Sequence, residues 1–165
     1  MRLSDNFDWT ARTYVMGILN ITPDSFSGDG LVQGGDTVAR AVAQAENFIA
    51  SGADILDIGA ESTRPGSVTM GAAAEADALL PVVAAVRSRF PETVISVDTY
   101  RATVAGQALD AGADIVNDVW GLRADPDMAV VVAAHGAPVI LMHNRSKPGD
   151  ADMDARLGGQ YRGAH

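Results

Sequence analysis

Five short runs of Val, Ile and Leu, apolar on both faces, constrain the fold of this chain more than any other feature. They run from Thr13 to Leu19, Asp54 to Ile58, Val94 to Val97, Asp114 to Asn117 and Pro138 to Met142. Strands without a wet face are the mark of a parallel sheet covered by helices. Between them, Asp36 to Ala50, Ala72 to Arg89, Arg101 to Ala111 and Pro126 to Ala134 carry apolar residues such as Val38, Val42, Ala45 and Ile49 at helical spacing, which predicts amphipathic crossover helices. The stretch Gly52-Ala53-Asp54-Ile55-Leu56-Asp57 returns as Gly112-Ala113-Asp114-Ile115-Val116-Asn117, each time a helix-ending glycine followed by a strand. Repeated units of this kind build barrels and doubly wound sheets.

Polar residues gather at one end of these strands. Asn20, Asp57, Asp98, Asn117 and His143 stand at or just past the last apolar positions, so a parallel sheet brings them to its carboxyl edge. Any one of them alone reads equally well as a turn former or a helix cap, Asp98-Thr99 above all. Five in register exceed what caps explain. Asn20 closes the run Gly17-Ile18-Leu19 and opens the loop Ile21-Thr22-Pro23-Asp24-Ser25-Phe26-Ser27-Gly28-Asp29-Gly30. Its neutral oxygen suits either a loop cap or a hydrated Mg2+. Ser62, Thr63 and Arg64, next to Pro65-Gly66, set two hydroxyls and a forked guanidinium side by side, which suits a diphosphate; a surface ion pair is an equal alternative for Arg64.

Asp98 can accept two parallel N–H groups from a 2-aminopyrimidinone edge, and the Asn117 amide offers a donor and an acceptor to the adjoining ring atoms; a pterin presents that pattern. Asp57 reads as a buried carboxylate fixing its neighbours, with Arg64 and Thr63 as groups it could orient. Met142 fits the floor of a pterin pocket or ordinary core filling. No acid–base partner for His143 is evident. His135 falls at a helix C-terminus, where imidazole suits the carbonyl end. The chain has no phosphate-binding Gly-x4-Gly-Lys-Ser/Thr element, and Gly28-Asp29-Gly30 does not continue as a dinucleotide fingerprint, so ATP and NAD roles lack support.

Composition narrows the class. With 165 residues, 47% of them hydrophobic and 20% charged, one soluble domain is expected. A net charge of -9 speaks against nucleic acid, and no basic amphipathic segment suggests a membrane surface. The absence of cysteine excludes disulfides and zinc thiolates. The apolar runs are too short to span a bilayer, and no signal segment follows Met1, so a cytoplasmic location is expected.

The segments Gly17 to Gly30 and Asp57-Ile58-Gly59-Ala60-Glu61-Ser62-Thr63-Arg64-Pro65-Gly66, in that order, closely resemble the signatures of the dihydropteroate synthase family. The resemblance implies a parallel (β/α)8 TIM barrel, here truncated to roughly its first five strand–helix units. Residues 1–165 then form a partial pterin-binding barrel domain, with strand–helix units over 1–144 and a polar, loosely held tail over 145–165. It implies magnesium at Asn20, diphosphate at Ser62, Thr63 and Arg64, and pterin at Asp98 and Asn117. Phe26 and Pro65 would wall a 4-aminobenzoate pocket that sulfonamides also occupy, with Met142 against the pterin. The family reaction condenses 4-aminobenzoate with 7,8-dihydropterin-6-ylmethyl diphosphate in folate synthesis, with Arg64 and Asp98 as its charged participants.

In the resembling family the second half supplies a further Asp, a strand-borne Lys, an Arg and a His, and Lys147, in a turn-like stretch, cannot be mapped onto that lysine. A non-catalytic remnant holding pterin weakly is therefore an open alternative. A methyltetrahydrofolate-dependent methyltransferase ranks lower, having no use for the Ser62-Thr63-Arg64 cluster. Open edges on the first and fifth strands predict homodimers or aggregates.

Overall fold

The computed structural model describes residues 7–8, 10–21, 37–61 and 69–143. Along these, strands and helices alternate: β1 (Met16–Asn20), α1 (Thr37–Ala50), β2 (Ile55–Gly59), α2 (Ala72–Arg89), β3 (Val94–Asp98), α3 (Ala102–Asp110), β4 (Ile115–Asp118), α4 (Met128–His135) and β5 (Val139–Leu141). The strands pair in parallel in the order β1-β2-β3-β4-β5. A doubly wound sheet reverses its order at a switch point, whereas this one only advances, which makes it an arc of a barrel. Each helix packs on the next, α1 on α2, α2 on α3 and α3 on α4, along one side of the arc.

Period-two alternation divides every strand between two environments. Leu19, Leu56, Ile58, Ile95, Val97 and Val116 form the main core with Ala41, Ala45, Leu79, Val82, Val83, Val86, Ala105 and Ala108 of the helices. The opposite parity faces the barrel interior in three registered rows. The lowest is Met16, Ile55 and Val94; the next is Ile18, Asp57, Ser96 and Ile115; the uppermost is Asn20, Gly59, Asp98, Asn117 and Ile140. Phe7, with Tyr14 packed edge-on to it, closes the bottom against Ile55, Val94 and Ile115. The interior therefore changes from apolar at the amino ends of the strands to polar at their carboxyl ends.

The repeated Gly-Ala-Asp has a physical cause. After α1, Gly52 turns at φ 94° and Ala53 N–H reaches back to the Phe48 carbonyl; after α3, Gly112 turns at φ 110° and Ala113 N–H reaches the Ala108 carbonyl. Such positive φ angles stop a helix cheaply only at glycine. The aspartate then joins its strand to the one before it. Asp54 N–H donates to the Val15 carbonyl and Asp54 Oδ2 accepts Val15 N–H at 2.9 Å; Asp114 N–H donates to the Ile95 carbonyl and Asp114 Oδ2 accepts Ile95 N–H at 2.9 Å. An arginine backs each carboxylate, Arg12 the first and Arg87 the second. The side-chain link at Val15 also explains why β1 begins at Met16 rather than at the expected Thr13: Asp54 occupies the donor that a longer ladder would use.

The other element ends coincide with expectation, as both do in α2, or differ by one or two residues, Asp118 joining β4 and Met142 falling outside β5. Coverage differs more. β2 and β3 are buried almost throughout, but Val15, Ile18, Leu141 and Met142 are exposed, because β1 and β5 each have a neighbour on one side only among the described residues.

The two arginines should differ in consequence. Arg87 donates to Asp114 at 2.5 Å and also to the carbonyls of Gly112, Pro91 and Thr93 at 2.7 to 2.9 Å, and a Cβ on Gly112 would meet its stem at 2.9 Å. Arg12 is mostly exposed. Arg87→Ala is expected to cost about 2 to 4 kcal/mol in urea unfolding, since it orphans several partly buried carbonyls and a carboxylate. Arg12→Ala should cost clearly less; equal losses would show that Arg87 is not a clamp.

Candidate active site at the carboxyl ends of the strands

The uppermost interior row brings together Asn20, Asp98 and Asn117, and Gly59 gives Asp98 its room. A Cβ at Gly59 would stand 3.2 Å from that of Asp98, tighter than ordinary packing. One row below, Asp57 is buried and its Oδ2 accepts the Asn117 amide at 3.0 Å, so the amide plane is set from beneath. Asp57 thus does fix a neighbour, as a buried carboxylate should, and among the described residues that neighbour is Asn117. Burial pushes the Asp57 carboxyl up, while the neighbouring Ser96 hydroxyl and the Asn117 amide act in the opposite sense. The Ser96 hydroxyl closes no hydrogen bond within normal geometry among the described residues.

Asp98 accepts no hydrogen bond among the described residues. The helix-cap role that its sequence position allows is filled by others: Thr99 Oγ1 accepts Arg101 N–H at 3.2 Å and Asp125 Oδ2 accepts Ala102 N–H at 2.8 Å, at the start of α3. Asp98 is left free to face the interior. Burial, followed by repulsion from Asp57, Glu75, Asp118 and Glu61, pushes its carboxyl up to about 7. A buried carboxyl so raised, with no hydrogen-bond partner among the described residues, marks a candidate functional group.

Around this row lies a network that sequence reasoning missed. Arg101 donates through NH1 to Glu61 Oε2 at 2.6 Å and to Glu75 Oε2, and through NH2 to the Met70 carbonyl at 2.5 Å and the Tyr100 hydroxyl at 2.6 Å. The Tyr100 hydroxyl donates to Glu61 Oε1 at 2.8 Å, and its pKa is raised to about 12 by burial and then by that bond. Glu75 sits in the first turn of α2, wholly buried. Its place among alanines in Ala72-Ala73-Ala74-Glu75-Ala76 was the available signal, a charge at a core-facing helical position. Asp118, also buried, shapes the loop after β4 by accepting Trp120 N–H and Leu122 N–H, both at 2.8 Å.

The remaining expected residues are placed as follows. Asn20 is exposed at the end of β1, and its carboxamide makes no hydrogen bond among the described residues. Met142 follows β5 and is half exposed, so it is not core filling. His143 is exposed beyond the strand and does not join the row. His135 does close α4 with its ring: Nδ1 lies 2.8 Å from the Val131 carbonyl and Nε2 lies 3.2 Å from Asp110. Phe26, Ser62, Thr63, Arg64 and Pro65 lie outside the described residues, as does the 145–165 tail. No group of three or more Asp, Glu or His among the described residues is arranged to hold a metal.

Comparison with known proteins agrees with this geometry. A family model described as pterin binding enzyme matches residues 16–164. The chain belongs to the pterin-binding enzyme family. The dihydropteroate synthase of Synechocystis is 49% identical over 142 residues, covering 86% of this chain and 48% of that protein. The solved dihydropteroate synthase of Clostridium difficile, crystallised in the presence of pteroic acid, superposes with a TM-score of 0.78 at 45% identity, over 85% of this chain and 52% of its own. That of Xanthomonas albilineans, bound to 4-aminobenzoic acid, gives 0.75 at 42% identity, over 86% and 49%. The chain thus spans about half the length of these relatives, and its arc corresponds to part of their barrel.

The raised Asp98 carboxyl makes a stability prediction for this family member. The folded state keeps the proton at pH values where the unfolded chain, with a model value of 3.8, has released it. Folding is therefore progressively weakened as pH rises from about 4 to about 7, and the whole penalty is present above that. Asp98→Asn should stabilise the chain at pH 8 by about 2 to 4 kcal/mol, a gain that shrinks toward pH 4. Urea unfolding at both pH values checks this, and a gain independent of pH would contradict it.

Proposed function

We propose that this chain carries the pterin-reading part of a dihydropteroate synthase site. The observation that carries the proposal is the uppermost row: a raised Asp98 carboxyl, without a hydrogen-bond partner among the described residues, beside Asn117, whose amide Asp57 orients. Asp98 would accept the 2-amino and ring N–H groups of a dihydropterin, and Asn117 would meet the adjoining edge. In the reaction, the amine nitrogen of 4-aminobenzoate bonds to the pterin methylene carbon, the carbon–oxygen bond to diphosphate breaks, and the amine gives up a proton. Ionised Asp98 would favour the positive charge that develops on the pterin as the diphosphate leaves. Ser62, Thr63 and Arg64 would hold the departing diphosphate, and Phe26 and Pro65 would wall the aminobenzoate pocket that sulfonamides share, with Met142 against the pterin.

Asn20 fits the expected magnesium: it is an exposed oxygen donor with no hydrogen bond among the described residues, in the same row as Asp98, and Mg2+ takes one such ligand together with waters and substrate oxygens. Bound there, the ion would neutralise charge on the diphosphate. A cytoplasmic location belongs to the same reading, supported by a chain without cysteine and, among the described residues, no helix long and apolar enough to cross a membrane. The second reading is pterin held weakly without turnover: among the described residues the strands form only an arc around the row.

If a pterin binds ionised Asp98, its affinity should fall about tenfold for each pH unit below about 7 and level off above. Calorimetric titration with a dihydropterin from pH 5 to 8 measures this. Asp98→Asn should bind weakly and lose the pH dependence; unchanged affinity would remove Asp98 from pterin recognition. We also expect the isolated chain to associate through β1 and β5, whose exposed apolar side chains flank backbone edges with no strand neighbour among the described residues. Sedimentation should show dimers or larger species, and a sharply melting compact monomer would refute that.

A further inference from the structure

The bond between Asp57 and Asn117 is not the one that the strand register makes easiest. Asn117 of β4 is the direct partner of Asp98 on β3, and adjacent strands lie only about 4.8 Å apart, so the Asp98 carboxylate is its neighbour in the row. The Asn117 amide instead crosses β3 and drops one row, where its Nδ2 donates to Asp57 Oδ2 of β2 at 3.0 Å. Asp98 is thereby left without a hydrogen bond among the described residues.

Two simpler roles for Asp57 fit poorly. It is not placed to touch a ligand, being 3% exposed and set in the row of Ile18, Ser96 and Ile115, beneath Asp98 and Asn117. A purely stabilising role is an equally weak account. A carboxylate buried in that row is costly, its Oδ1 has no hydrogen-bond partner among the described residues, and an apolar side chain commonly serves packing as well. What Asp57 does supply is an acceptor at a fixed place. An ionised carboxylate can only accept, so it admits the Asn117 amide with an N–H toward it and excludes the reverse orientation, carbonyl first.

With one N–H given to Asp57, Asn117 keeps one N–H and its carbonyl oxygen, side by side in one plane. That pair matches a ring nitrogen lone pair next to a ring N–H. A 7,8-dihydropterin presents this edge beside its 2-amino group, at ring nitrogens N1 and N8; full oxidation removes the hydrogen from N8 and sets a lone pair against the Asn117 carbonyl. We propose that Asp57 is a positioning and specificity-determining residue: by taking one amide N–H it draws Asn117 off Asp98 and presents the remaining donor and acceptor together, so that the site prefers the 7,8-dihydro state of a pterin to the fully oxidised one. It rests on the pterin role given above to Asp98 and Asn117.

The test uses the full chain, with anaerobic calorimetry against 6-hydroxymethyl-7,8-dihydropterin and against its fully oxidised counterpart, and NMR of the Asn117 side-chain amide. The unaltered chain should prefer the dihydropterin by about tenfold or more, the worth of one hydrogen bond exchanged for opposed lone pairs. Asp57→Val removes the acceptor and keeps a side chain suited to a buried strand. The Asn117 amide should then turn to Asp98, its signals should move, and dihydropterin affinity should fall about tenfold, since the ligand must first displace a charge-assisted bond. Asp57→Asn keeps an acceptor oxygen and should hold affinity within about threefold. In an Asn117→Ala background the preference should vanish, and adding Asp57→Val should cost nothing further.

Equal affinity of the unaltered chain for the two oxidation states overturns the proposal, and so does an Asp57→Val loss that persists in the Asn117→Ala background, which would show Asp57 acting by charge or fold rather than through Asn117. Asp57→Ala repeats the comparison should the valine variant fail to fold. If the unaltered chain binds neither pterin, the pterin reading fails and the proposal fails with it; the Asn117 amide signals then show separately whether Asp57 holds that side chain.

Discussion

In-register parallel pairing is the constraint on which the rest of this structure depends. Because side chains alternate with period two and Asn20, Gly59, Asp98 and Asn117 are mutual partners across the strands, the register alone collects them on one interior row. A slip of one residue at β3 would put Val97 in the row and turn Asp98 toward the helices, where Leu56, Ile58 and Val116 pack. The main core therefore polices the site: an ionisable group cannot exchange places with a buried valine without losing both hydrophobic contact and solvation. The Asp54 and Asp114 links act at the other end of the strands, fixing β1 against β2 and β3 against β4 before the ladders begin.

Electrostatics then sets the character of the row. Asp57, Asp98 and Asp118 come from neighbouring strands, with Glu61 and Glu75 nearby, and their mutual repulsion is part of why Asp98 holds its proton near neutrality. Asp57 is stabilised by the Asn117 amide, Asp118 by two backbone N–H groups and the glutamates by Arg101. Asp98 alone among the five has no partner among the described residues. The cost of leaving it so falls on folding, and a ligand donating N–H groups would relieve it, which is how binding free energy is stored in a preformed site.

Much of this was legible in the sequence, for identifiable reasons. Doubly apolar runs and helical spacing located every described strand and helix, because burial on both faces leaves no other pattern. The strand-end position of Asn20, Asp98 and Asn117 was enough to collect them. His143 did not join them, because β5 ends at Leu141 and the chain leaves the sheet before the histidine. Beyond the lone Glu75 among alanines, the Arg101 network was not legible because its members are scattered: Glu61, Glu75 and Arg101 have no periodic relation, and only the packing of α2 beside α3 brings them together. Asp125 was hidden likewise, since it caps a helix that starts 23 residues earlier in the chain.

The distribution of charge also says where an anion can be held. A pterin edge needs acceptors, and the uppermost row is rich in them. A diphosphate needs donors, and at the strand ends the described residues offer few: Arg101 is committed to four acceptors, and Asp57, Asp98 and Asp118 would repel phosphate oxygens. With a net charge of -9, the protein as a whole gives an anion no long-range attraction to offset this. An anionic leaving group beside this row must therefore be held by a dedicated, close set of donors. Ser62, Thr63 and Arg64, which follow Glu61 directly in the sequence, are the set proposed above. Donors that work near several carboxylates succeed only if held close to the anion and clear of the acids, a matter of position more than of number.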